Sequence, residues 1–548
     1  MVRHLLPGLL ALGLAACGGE ETTAPPGPDY PEFPDHDWEA EAATLAAGPD
    51  WYRHAVFYEV FVRSLQDSDG DGIGDLQGLI ARLDDLKALG IDALWLMPIM
   101  PTPFFDSGYD VADYEAINPD YGTLADFDAL IGAAHERGMR VLIDLVLNHT
   151  SDQHAWFQAS RSDPTGPYGD FYVWSDTPSS PDNGCGTHQA MFGDSAWELD
   201  EVRQQYFFHR FYPQQPDLNY ENPAVVDATL EVAKLWLDRG VDGFRCDVIA
   251  LLYESANDCG FLEPTKAYVR QLRSLVDTYP GAVLLAEPTD FENTPPYYGN
   301  GSDMFHMTFN FAYGYFWNFH FGSHDAGQIA ASFESALTEH PPGAQEALVI
   351  GSHDVTRAFK PLGGEALQRR AAVVQMTMRG TPFIYYGEEL ALRPGTEQIV
   401  DNRDFARTPM PWTAEPDGFG FTTGEPWIAF GPEVEATNVA TESGQADSTY
   451  AFYRDLLALR RGREVWGTGE VQFLEGDNET VLAFRREDGA LSYLVLVNLS
   501  EDPQTSVLPD ANLPNIGLPV LGEAQVTLDG DAATVALEGA GYAILRLR

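Results

Sequence analysis

The amino-acid sequence predicts an α/β fold, a (β/α)8 barrel of the TIM type. From residue 55 onward, short β-rich runs alternate with amphipathic helical stretches, which is the pattern of a parallel sheet. Eight such steps favour a closed barrel over an open sheet. The predicted strands are Val56–Val62, Ile91–Met97, Arg140–Val146, Val241–Asp247, Ala282–Glu287, Met304–Phe309, Ala347–Gly351 and Pro382–Tyr386. The predicted helices include Leu76–Leu89, Leu124–Arg137, Pro223–Arg239, Glu365–Met378 and Ser448–Arg461.

Two stretches depart from the strand–helix alternation. About 95 residues separate the third and fourth predicted strands, far more than a crossover needs, so we expect a separate lobe beside the barrel mouth. After residue 466, alternating segments such as Thr480–Arg485, Ser492–Asn498 and Tyr542–Leu547 indicate antiparallel strands. The predicted domains are a barrel of residues 51–149 and 216–466, an inserted lobe of 150–215, and a C-terminal antiparallel β domain of 467–548.

The N-terminus is predicted to be a targeting segment. Residues 1–16 have a basic start and an apolar run too short for a transmembrane helix, as in a signal peptide. Leu14–Gly18 resembles a bacterial lipobox, which implies an exported lipoprotein of the outer membrane or cell surface, attached only through a lipid on Cys17. The alternative is an ordinary signal peptide with an incidental cysteine. Residues 17–50 are rich in Gly, Pro, Glu and Asp and are predicted to form a flexible tether.

The composition excludes several classes of protein. The 32 basic and 83 acidic residues give a formal net charge of −51, which repels nucleic acid and anionic lipid and favours a neutral substrate. Besides Cys17, the chain contains Cys185, Cys246 and Cys259. These three allow at most one internal disulfide and lack zinc-type spacing, so neither a disulfide scaffold nor a zinc site is expected.

Polar side chains gather at the predicted carboxyl ends of the barrel strands, where the loops of such barrels converge. They are His149 after the third strand, Arg245 and Asp247 at the fourth, Glu287 at the fifth, and His353 and Asp354 after the seventh. A single carboxylate at a strand end is usually a helix cap. Three carboxylates with an arginine and two histidines at one rim predict an active site instead.

Four segments together resemble the best-known motifs of the α-amylase superfamily, glycoside hydrolase family 13. They are Asp144–His149, Gly243–Asp247, Ala286–Glu287 and His353–Asp354, and residues 90–98 and 380–388 match further family signatures. The resemblance covers roughly residues 51–548. Ser352 stands where the family commonly has Asn, and Ala286 stands where it often has Gly. Neither departure removes a catalytic group.

The resemblance implies a retaining α-glycoside hydrolase. Asp247 would be the nucleophile that forms a covalent glycosyl-enzyme, and Glu287 would protonate the leaving oxygen and then activate water. Asp354 would stabilise the oxocarbenium-like transition state. Arg245 points to the same strand face as Asp247 and would keep that carboxylate ionised.

The resemblance also implies which residues bind substrate. His149 and His353 would donate hydrogen bonds to sugar hydroxyls. Asp106 and Tyr109 look like the residues that grip the non-reducing-end glucose in a closed pocket. Arg403 opens a signature that follows strand eight in one branch of the family. A pocket that encloses the chain end implies exo action on short substrates.

That branch is the oligo-1,6-glucosidases and α-glucosidases. Gln215–Asn219 is similar to its extra motif near the end of the inserted lobe, and Arg407–Trp412 is similar to the rest of its signature after strand eight. Val248, directly after the nucleophile, is the residue type that the branch associates with α-1,6 activity. A core valine of the barrel explains Val248 equally well, so the linkage stays open.

An aspartate-rich loop after the first strand predicts a calcium site. Asp67, Asp69, Asp71 and Asp75 alternate with small residues, and oxygen ligands at that spacing, with the carbonyl of Ile73, can wrap a hard cation. A similar loop binds calcium in many α-glucosidase-like members of the family. The alternative is an acidic, solvated turn. The expected role of Ca²⁺ is structural.

Three alternatives to an exo α-glucosidase remain open from the sequence. One is an endo-acting α-amylase or neopullulanase-like enzyme that acts on α-glucan. Another is a transglycosylase or trehalose-forming isomerase, which uses the same covalent intermediate with a different acceptor. A third is a non-catalytic carbohydrate-binding lipoprotein, although such proteins typically lose catalytic residues that are present here.

Overall fold

The computed structural model describes residues 37–178, 190–193, 195–253, 260–291, 293–311, 321–400, 402–489 and 491–547. The predicted signal peptide, Cys17, Cys185 and Cys259 lie outside these residues. Cys246 lies within them, and it is buried with a free thiol. Among the described residues, no helix combines the length and the apolar character needed to cross a bilayer.

Eight parallel strands close into the predicted barrel. They are β1 (Phe57–Val60), β2 (Ala93–Leu96), β3 (Arg140–Leu145), β7 (Gly243–Cys246), β8 (Val283–Ala286), β9 (Met307–Phe309), β10 (Gln345–Val349) and β11 (Thr381–Tyr385). In barrel order they run β1, β2, β3, β7, β8, β9, β10 and β11, and β11 pairs with β1. Each overlaps a predicted strand and ends at or before the predicted end, whereas β10 and β11 begin earlier than predicted. Asp247 and Glu287 therefore lie just past their strands.

The lower barrel interior is filled with aromatic rings. Phe57 stacks on Phe383 with 4.3 Å between ring centroids, and Phe309 lies 5.3 Å from both Phe383 and Trp95. Large buried rings fill the space between the strands at close-packed density. The barrel is therefore a solid floor beneath the strand ends rather than a pore.

Helices surround the barrel and complete the other domains. They are α1 (Trp38–Ala47), α2 (Val62–Leu65), α3 (Leu76–Leu89), α4 (Leu124–Glu136), α5 (Ala155–Ser162), α6 (Pro223–Asp238), α7 (Glu263–Val276), α8 (Ala326–Glu339), α9 (Glu365–Thr377), α10 (Val439–Ser443), α11 (Thr449–Arg460) and α12 (Glu464–Gly467). Short 3₁₀ turns lie at Trp51–Arg53, Ile249–Leu251, Pro295–Tyr298, Glu388–Leu390, Asp404–Ala406 and Gly418–Gly420. Local sequence explains several boundaries. Thr123 and Asp126 form a capping box at α4, and Gly90 ends α3 in the left-handed conformation.

A small antiparallel sheet lies in the region predicted as an inserted lobe. Its strands are β4 (Trp174–Ser175), β5 (Trp197–Asp200) and β6 (Gln205–Phe208), with β6 in the middle. Bridges between His149 and Asp217 and between Tyr172 and Leu218 join the two ends of this region. The chain that leaves β3 is thereby held against the chain that returns to the barrel.

Two antiparallel sheets make up the C-terminal region. The strands are β12 (Glu470–Phe473), β13 (Val481–Glu487), β14 (Ser492–Asn498), β15 (Gln504–Leu508), β16 (Ile516–Gly522), β17 (Gln525–Asp529), β18 (Ala532–Leu537) and β19 (Tyr542–Leu547). They form one sheet in the order β12-β13-β14-β19-β16 and another in the order β15-β18-β17. Arg486 of β13 is fully buried and donates to carbonyls of Thr377 and Gly469, which fixes the sheet to the barrel helices.

The last third of the segment predicted as a flexible tether is helical instead. Helix α1 begins after Asp37, whose carboxylate caps it. The ring of Trp38 lies 4.1 Å under the guanidinium of Arg463, and Glu39 pairs with Arg461 at 3.1 Å. The prediction was wrong here because the contacts that hold α1 come from residues more than 400 positions away, and its own pattern buries no residue fully.

Candidate active site

The two central carboxylates follow neighbouring strands. Asp247 comes directly after β7 and Glu287 directly after β8. The register pairs Cys246 with Ala286, the last residues of these strands. Because β7 and β8 are parallel and end together, Asp247 and Glu287 lie side by side at the carboxyl edge of the barrel.

Arg245 joins three carboxylates at this edge. Its Nη1 donates to Asp144 at 2.6 Å and also to Asp247, and its Nη2 lies 2.8 Å from Glu287. The guanidinium is 1% exposed. A buried guanidinium needs such partners, since its five N–H groups have lost water. Asp247 and Glu287 are thus brought within reach of one cation.

Aromatic residues fix Asp144 and the arginine from below. Trp95 Nε1 and the Tyr109 hydroxyl each donate to Asp144 Oδ2 at 3.1 Å. The guanidinium of Arg245 lies 5.3 Å from the Trp95 ring and 5.6 Å from the Tyr109 ring. Cation–π contact and hydrogen bonding together leave Arg245 little freedom to move.

Burial sets the protonation of the central pair. Desolvation, offset in part by Arg245, raises the pKa of Asp247 to about 7 and the pKa of Glu287 to about 8. The negative charges of Asp144 and Asp354 also raise the pKa of Asp247, and those of Asp247 and Asp354 raise the pKa of Glu287. One guanidinium cannot neutralise three carboxylates, so near neutral pH Asp247 and Glu287 share one proton. Glu287 has the higher pKa and holds it.

Val248 sits in a strained backbone conformation beside this pair. Its φ and ψ are 34° and 40°, in the left-handed region that a β-branched residue rarely adopts. In this conformation its N–H donates to Glu287 Oε2 at 2.8 Å. Strain of this kind is typical of functional sites, where the surrounding structure holds the residue in place.

Asp354 lies on the other side of the site, after β10. Burial opposes its ionisation, but His353, Arg403 and Arg407 outweigh this cost and hold the pKa of Asp354 well below its ordinary value. Arg403 Nη1 donates to Asp354 at 2.5 Å, and His353 Nε2 is 3.2 Å away. Asp354 is therefore a fixed negative charge near neutral pH.

Arg403 also pairs with Asp106 and so bridges two loops. Asp106 Oδ2 accepts from Gln215 Nε2 at 2.9 Å, and the same amide nitrogen lies 3.1 Å from His149 Nε2. The loops after β2, β3 and β10 and the end of the inserted segment are thus linked in one polar network. The predicted substrate-binding residues Asp106, Tyr109, His149, Arg245, His353 and Arg403 all belong to this network or to the Arg245 cluster.

The aspartate-rich loop lies apart from the carboxylate cluster. Asp67, Asp69 and Asp71 can each bring one carboxylate oxygen within 4.8 Å of the others. Hydrogen bonds from Thr422 and from loop amides outweigh burial and lower the pKa of Asp67, so its carboxylate stays ionised. Oxygen donors of this kind suit Ca²⁺. Asp75 is not in that group, because its carboxylate caps helix α3 and accepts from Ser68.

Sequence reasoning gave no role to three residues of the site. Glu59 on β1 lies 2.6 Å from His353, Gln215 joins Asp106 to His149, and Arg407 donates to the His353 carbonyl at 3.0 Å. Glu59 carried a usable signal, since it is the one charged residue in the apolar run Phe57–Val60. A carboxyl group in a buried strand needs a hydrogen-bond or charged partner, so a glutamate in this run indicates a polar contact inside the barrel.

A closed (β/α)8 barrel with carboxylates clustered around an arginine at its strand ends has the architecture of a barrel enzyme with its active site at that edge. Comparison with known proteins agrees. The model of the α-amylase catalytic domain matches residues 59–469. The chain therefore belongs to the α-amylase family, glycoside hydrolase family 13, and is an enzyme acting on glycosides.

Relatives in this family have different activities. A trehalose synthase/amylase of Mycobacterium tuberculosis is 37% identical over 533 residues, covering 86% of each chain. An oligo-1,6-glucosidase of Heyndrickxia coagulans is 33% identical, covering 84% of this chain and 94% of its own. The trehalulose synthase MutB of Pseudomonas mesoacidophila MX-45 superposes with a TM-score of 0.81 at 30% identity, covering 91% and 99% of the two chains. These similarities establish the family and leave the specific activity unfixed.

Replacing Glu287 by Gln should stabilise the fold, increasingly so as the pH rises. The folded protein retains a proton on Glu287 that the unfolded chain releases between about pH 4.5 and 8, so the wild type loses stability across this window. Gln carries no charge at any pH and still offers an oxygen to Arg245 and Val248. We expect a gain in unfolding free energy of about 1–3 kcal/mol at pH 8 and little at pH 5.

Thermal melts of the wild type and E287Q at pH 5 to 8 measure this difference. The matched control is E435Q, at an exposed glutamate, which should show no such trend. A gain that stays constant with pH would mean that Glu287 is ionised throughout.

Proposed function

We propose that the protein is a retaining, exo-acting α-glucosidase-type enzyme, which removes one glucosyl unit from the non-reducing end of a short malto- or isomalto-oligosaccharide. The observation that carries this proposal is the Arg403 bridge between Asp106 and Asp354. A sugar chain that continued past the terminal glucose on this side would have to cross the bridge. The bridge therefore supports a closed pocket over the open cleft of an endo-acting α-amylase.

In the first step, Asp247 attacks the anomeric carbon. Arg245 occupies Oδ1 of Asp247, and no described residue donates to Oδ2, so Oδ2 is the oxygen available for attack. Glu287 Oε2 accepts from Arg245 and from the Val248 N–H, which leaves the transferable proton on Oε1. The bond from carbon to the glycosidic oxygen breaks as the bond to Oδ2 forms, and the proton of Glu287 passes to the departing oxygen.

In the second step, an acceptor hydroxyl replaces the departed sugar. Glu287, now ionised, takes the proton of this hydroxyl while the acceptor oxygen bonds to the anomeric carbon and the ester to Asp247 breaks. Positive charge develops on the sugar ring in both transition states. The fixed negative charge of Asp354 would stabilise it, because a charge held in place by Arg403 and Arg407 needs no reorganisation.

A second candidate is glucosyl transfer to the released sugar, which would make the protein a transglycosylase or trehalose-forming isomerase. The similarity to a trehalose synthase/amylase and to a trehalulose synthase favours it. The chemistry differs only in the second step, where a hydroxyl of the retained sugar takes the place of water. The two candidates share the same pocket and the same covalent intermediate.

A time course of products separates these candidates. Maltose, isomaltose, maltoheptaose and soluble starch are incubated with the enzyme in buffer containing Ca²⁺. We expect glucose from the start on the oligosaccharides, with the viscosity of starch hardly changed, because only chain ends enter the pocket. Conversion of maltose to a non-reducing disaccharide with little free glucose would establish the isomerase. A rapid fall in viscosity with mixed maltooligosaccharides would establish an endo-acting enzyme and contradict the proposed pocket.

We also propose that Asp67, Asp69 and Asp71, with the carbonyl of Ile73, bind a structural Ca²⁺ ion. A chelator should then lower the melting temperature by several degrees, since a ligand at 100 times its Kd adds about 2.7 kcal/mol to the stability of the folded state. The double variant D69N/D71N should melt at the lower temperature and no longer respond to chelator or to added Ca²⁺. A wild type that melts at the same temperature with and without chelator, and contains no metal, would show that the loop is an acidic turn.

Finally, we propose that the protein is exported and anchored through a lipid on Cys17. The resemblance of Leu14–Gly18 to a lipobox supports this. In a bacterial host, the wild type and the control G19S should partition into detergent with the membrane fraction, whereas C17S should not. Equal partitioning of C17S and the wild type would contradict the anchor.

A further inference from the structure

A buried glutamate lies in the wall of the barrel beneath the active site. Glu59 is on β1 between β2 and β11, level with Trp95 and Tyr385, and it is 0% exposed. Burying a carboxyl group costs free energy that an apolar side chain at the same position would not cost. Packing therefore gives no reason for a glutamate at this position, and the reason must lie in its polar contacts.

Both contacts of Glu59 are with one residue. Its Oε1 lies 2.6 Å from His353 Nδ1 and accepts from the His353 backbone N–H at 3.2 Å. No described residue hydrogen-bonds its Oε2. Among the described residues, the hydrogen bonds of this side chain are therefore all with the backbone and ring of His353.

The other edge of the imidazole faces the proposed reaction centre. His353 Nε2 is 2.8 Å from the Tyr109 hydroxyl and 3.2 Å from Asp354 Oδ2. The rings of His353 and Tyr109 stack with 5.4 Å between centroids. His353 therefore lies between Glu59 in the barrel wall and two residues that line the pocket.

Burial leaves His353 with a single ring proton. Desolvation lowers the pKa of His353 well below its ordinary value, so the imidazole is neutral at working pH. A neutral imidazole has one N–H, and its position decides what each edge offers. The Tyr109 hydroxyl gives its proton to Asp144, and Nε2 also faces the Asp354 carboxylate, so the ring proton lies on Nε2, which donates to the Tyr109 oxygen. Nδ1 is then the acceptor, and since burial raises the pKa of Glu59 well above its ordinary value, the protonated carboxyl group of Glu59 donates to Nδ1 at 2.6 Å.

We propose that Glu59 is a positioning residue, which fixes the tautomer and orientation of His353 so that its Nε2 edge presents a donor to the pocket. Glu59 itself touches neither substrate nor reacting atoms. It acts through His353 on Tyr109 and Asp354, and so on the binding of the sugar ring in the transition state. The inference rests on the proposed glycosidase function and adds to it a residue from the first strand.

Two conservative variants distinguish an effect of where the hydrogen-bonding group of residue 59 lies from an effect of its charge. Gln at residue 59 keeps a hydrogen-bond donor and an acceptor at the same reach and cannot ionise. Asp keeps an ionisable carboxyl group but withdraws it by about 1.5 Å, beyond hydrogen-bond distance of Nδ1. The proposal predicts that E59Q stays within about threefold of the wild-type kcat, whereas E59D loses roughly tenfold or more, mainly in kcat. A role that depends on charge predicts the opposite order.

A double-mutant cycle with H353A tests whether the effect passes through His353. If it does, E59D/H353A should be no slower than H353A alone, because the residue that Glu59 positions is already gone. The stability control is E389D. Glu389 is a buried carboxyl that accepts from Tyr58 at 2.7 Å, away from the site, so E389D should lower the melting temperature without changing kcat.

The measurements are kcat and KM on p-nitrophenyl α-glucoside, with melting temperatures for every variant. E59Q above E59D, together with no added loss in the double variant, supports the proposal. E59D equal to or faster than E59Q, or losses that multiply in E59D/H353A, would overturn it. A wild type that hydrolyses no α-glucoside would instead remove the proposed function, so the two failures are distinguishable.

Discussion

The site depends on the ion-pair cluster of Arg245 with Asp144, Asp247 and Glu287. Three carboxylates buried together would repel one another strongly, and a lone buried guanidinium would be more costly still. The guanidinium is stable there because carboxylates surround it, and its charge lowers the cost of burying them. The cluster also sets the chemistry, since the partly neutralised pair of Asp247 and Glu287 retains one proton near neutral pH, which is the state that retaining catalysis requires.

Around this cluster, the packed interior of the barrel provides rigidity, and the loops above it carry the groups that would bind substrate. The aromatic floor and the cage of Trp95 and Tyr109 hold the cluster from below. The loops above are tied by charge, with Arg403 as the link between Asp106 and Asp354. In a chain of net charge −51, acidic residues outnumber basic ones, and the arginines of this site lie among carboxylates. Burying these charged groups lowers the stability of the folded protein at the strand ends, where binding and catalysis need charges in fixed positions.

Much of the fold and site could be predicted because the signals are local. Apolar runs with helices between them gave all eight barrel strands, and the polar residues at strand ends gave the carboxylate cluster. Long-range contacts gave no such signal. Helix α1 depends on contacts with Arg461 and Arg463, which are far away in sequence. The role of Glu59 can be inferred only once the fold has placed His353 beside it. Spacing alone also could not show that Asp75 caps a helix rather than joining the acidic loop.

The most direct test of the central claim is to trap the glycosyl-enzyme. The protein is incubated with 5-fluoro-α-glucosyl fluoride, which forms the intermediate faster than it is released, and the adduct is located by peptide mass spectrometry. If Asp247 is the nucleophile, we expect a single 5-fluoroglucosyl group esterified to Asp247 and none in D247N. An adduct on Glu287 or Asp354, or hydrolysis that proceeds in D247N at the wild-type rate, would contradict this assignment.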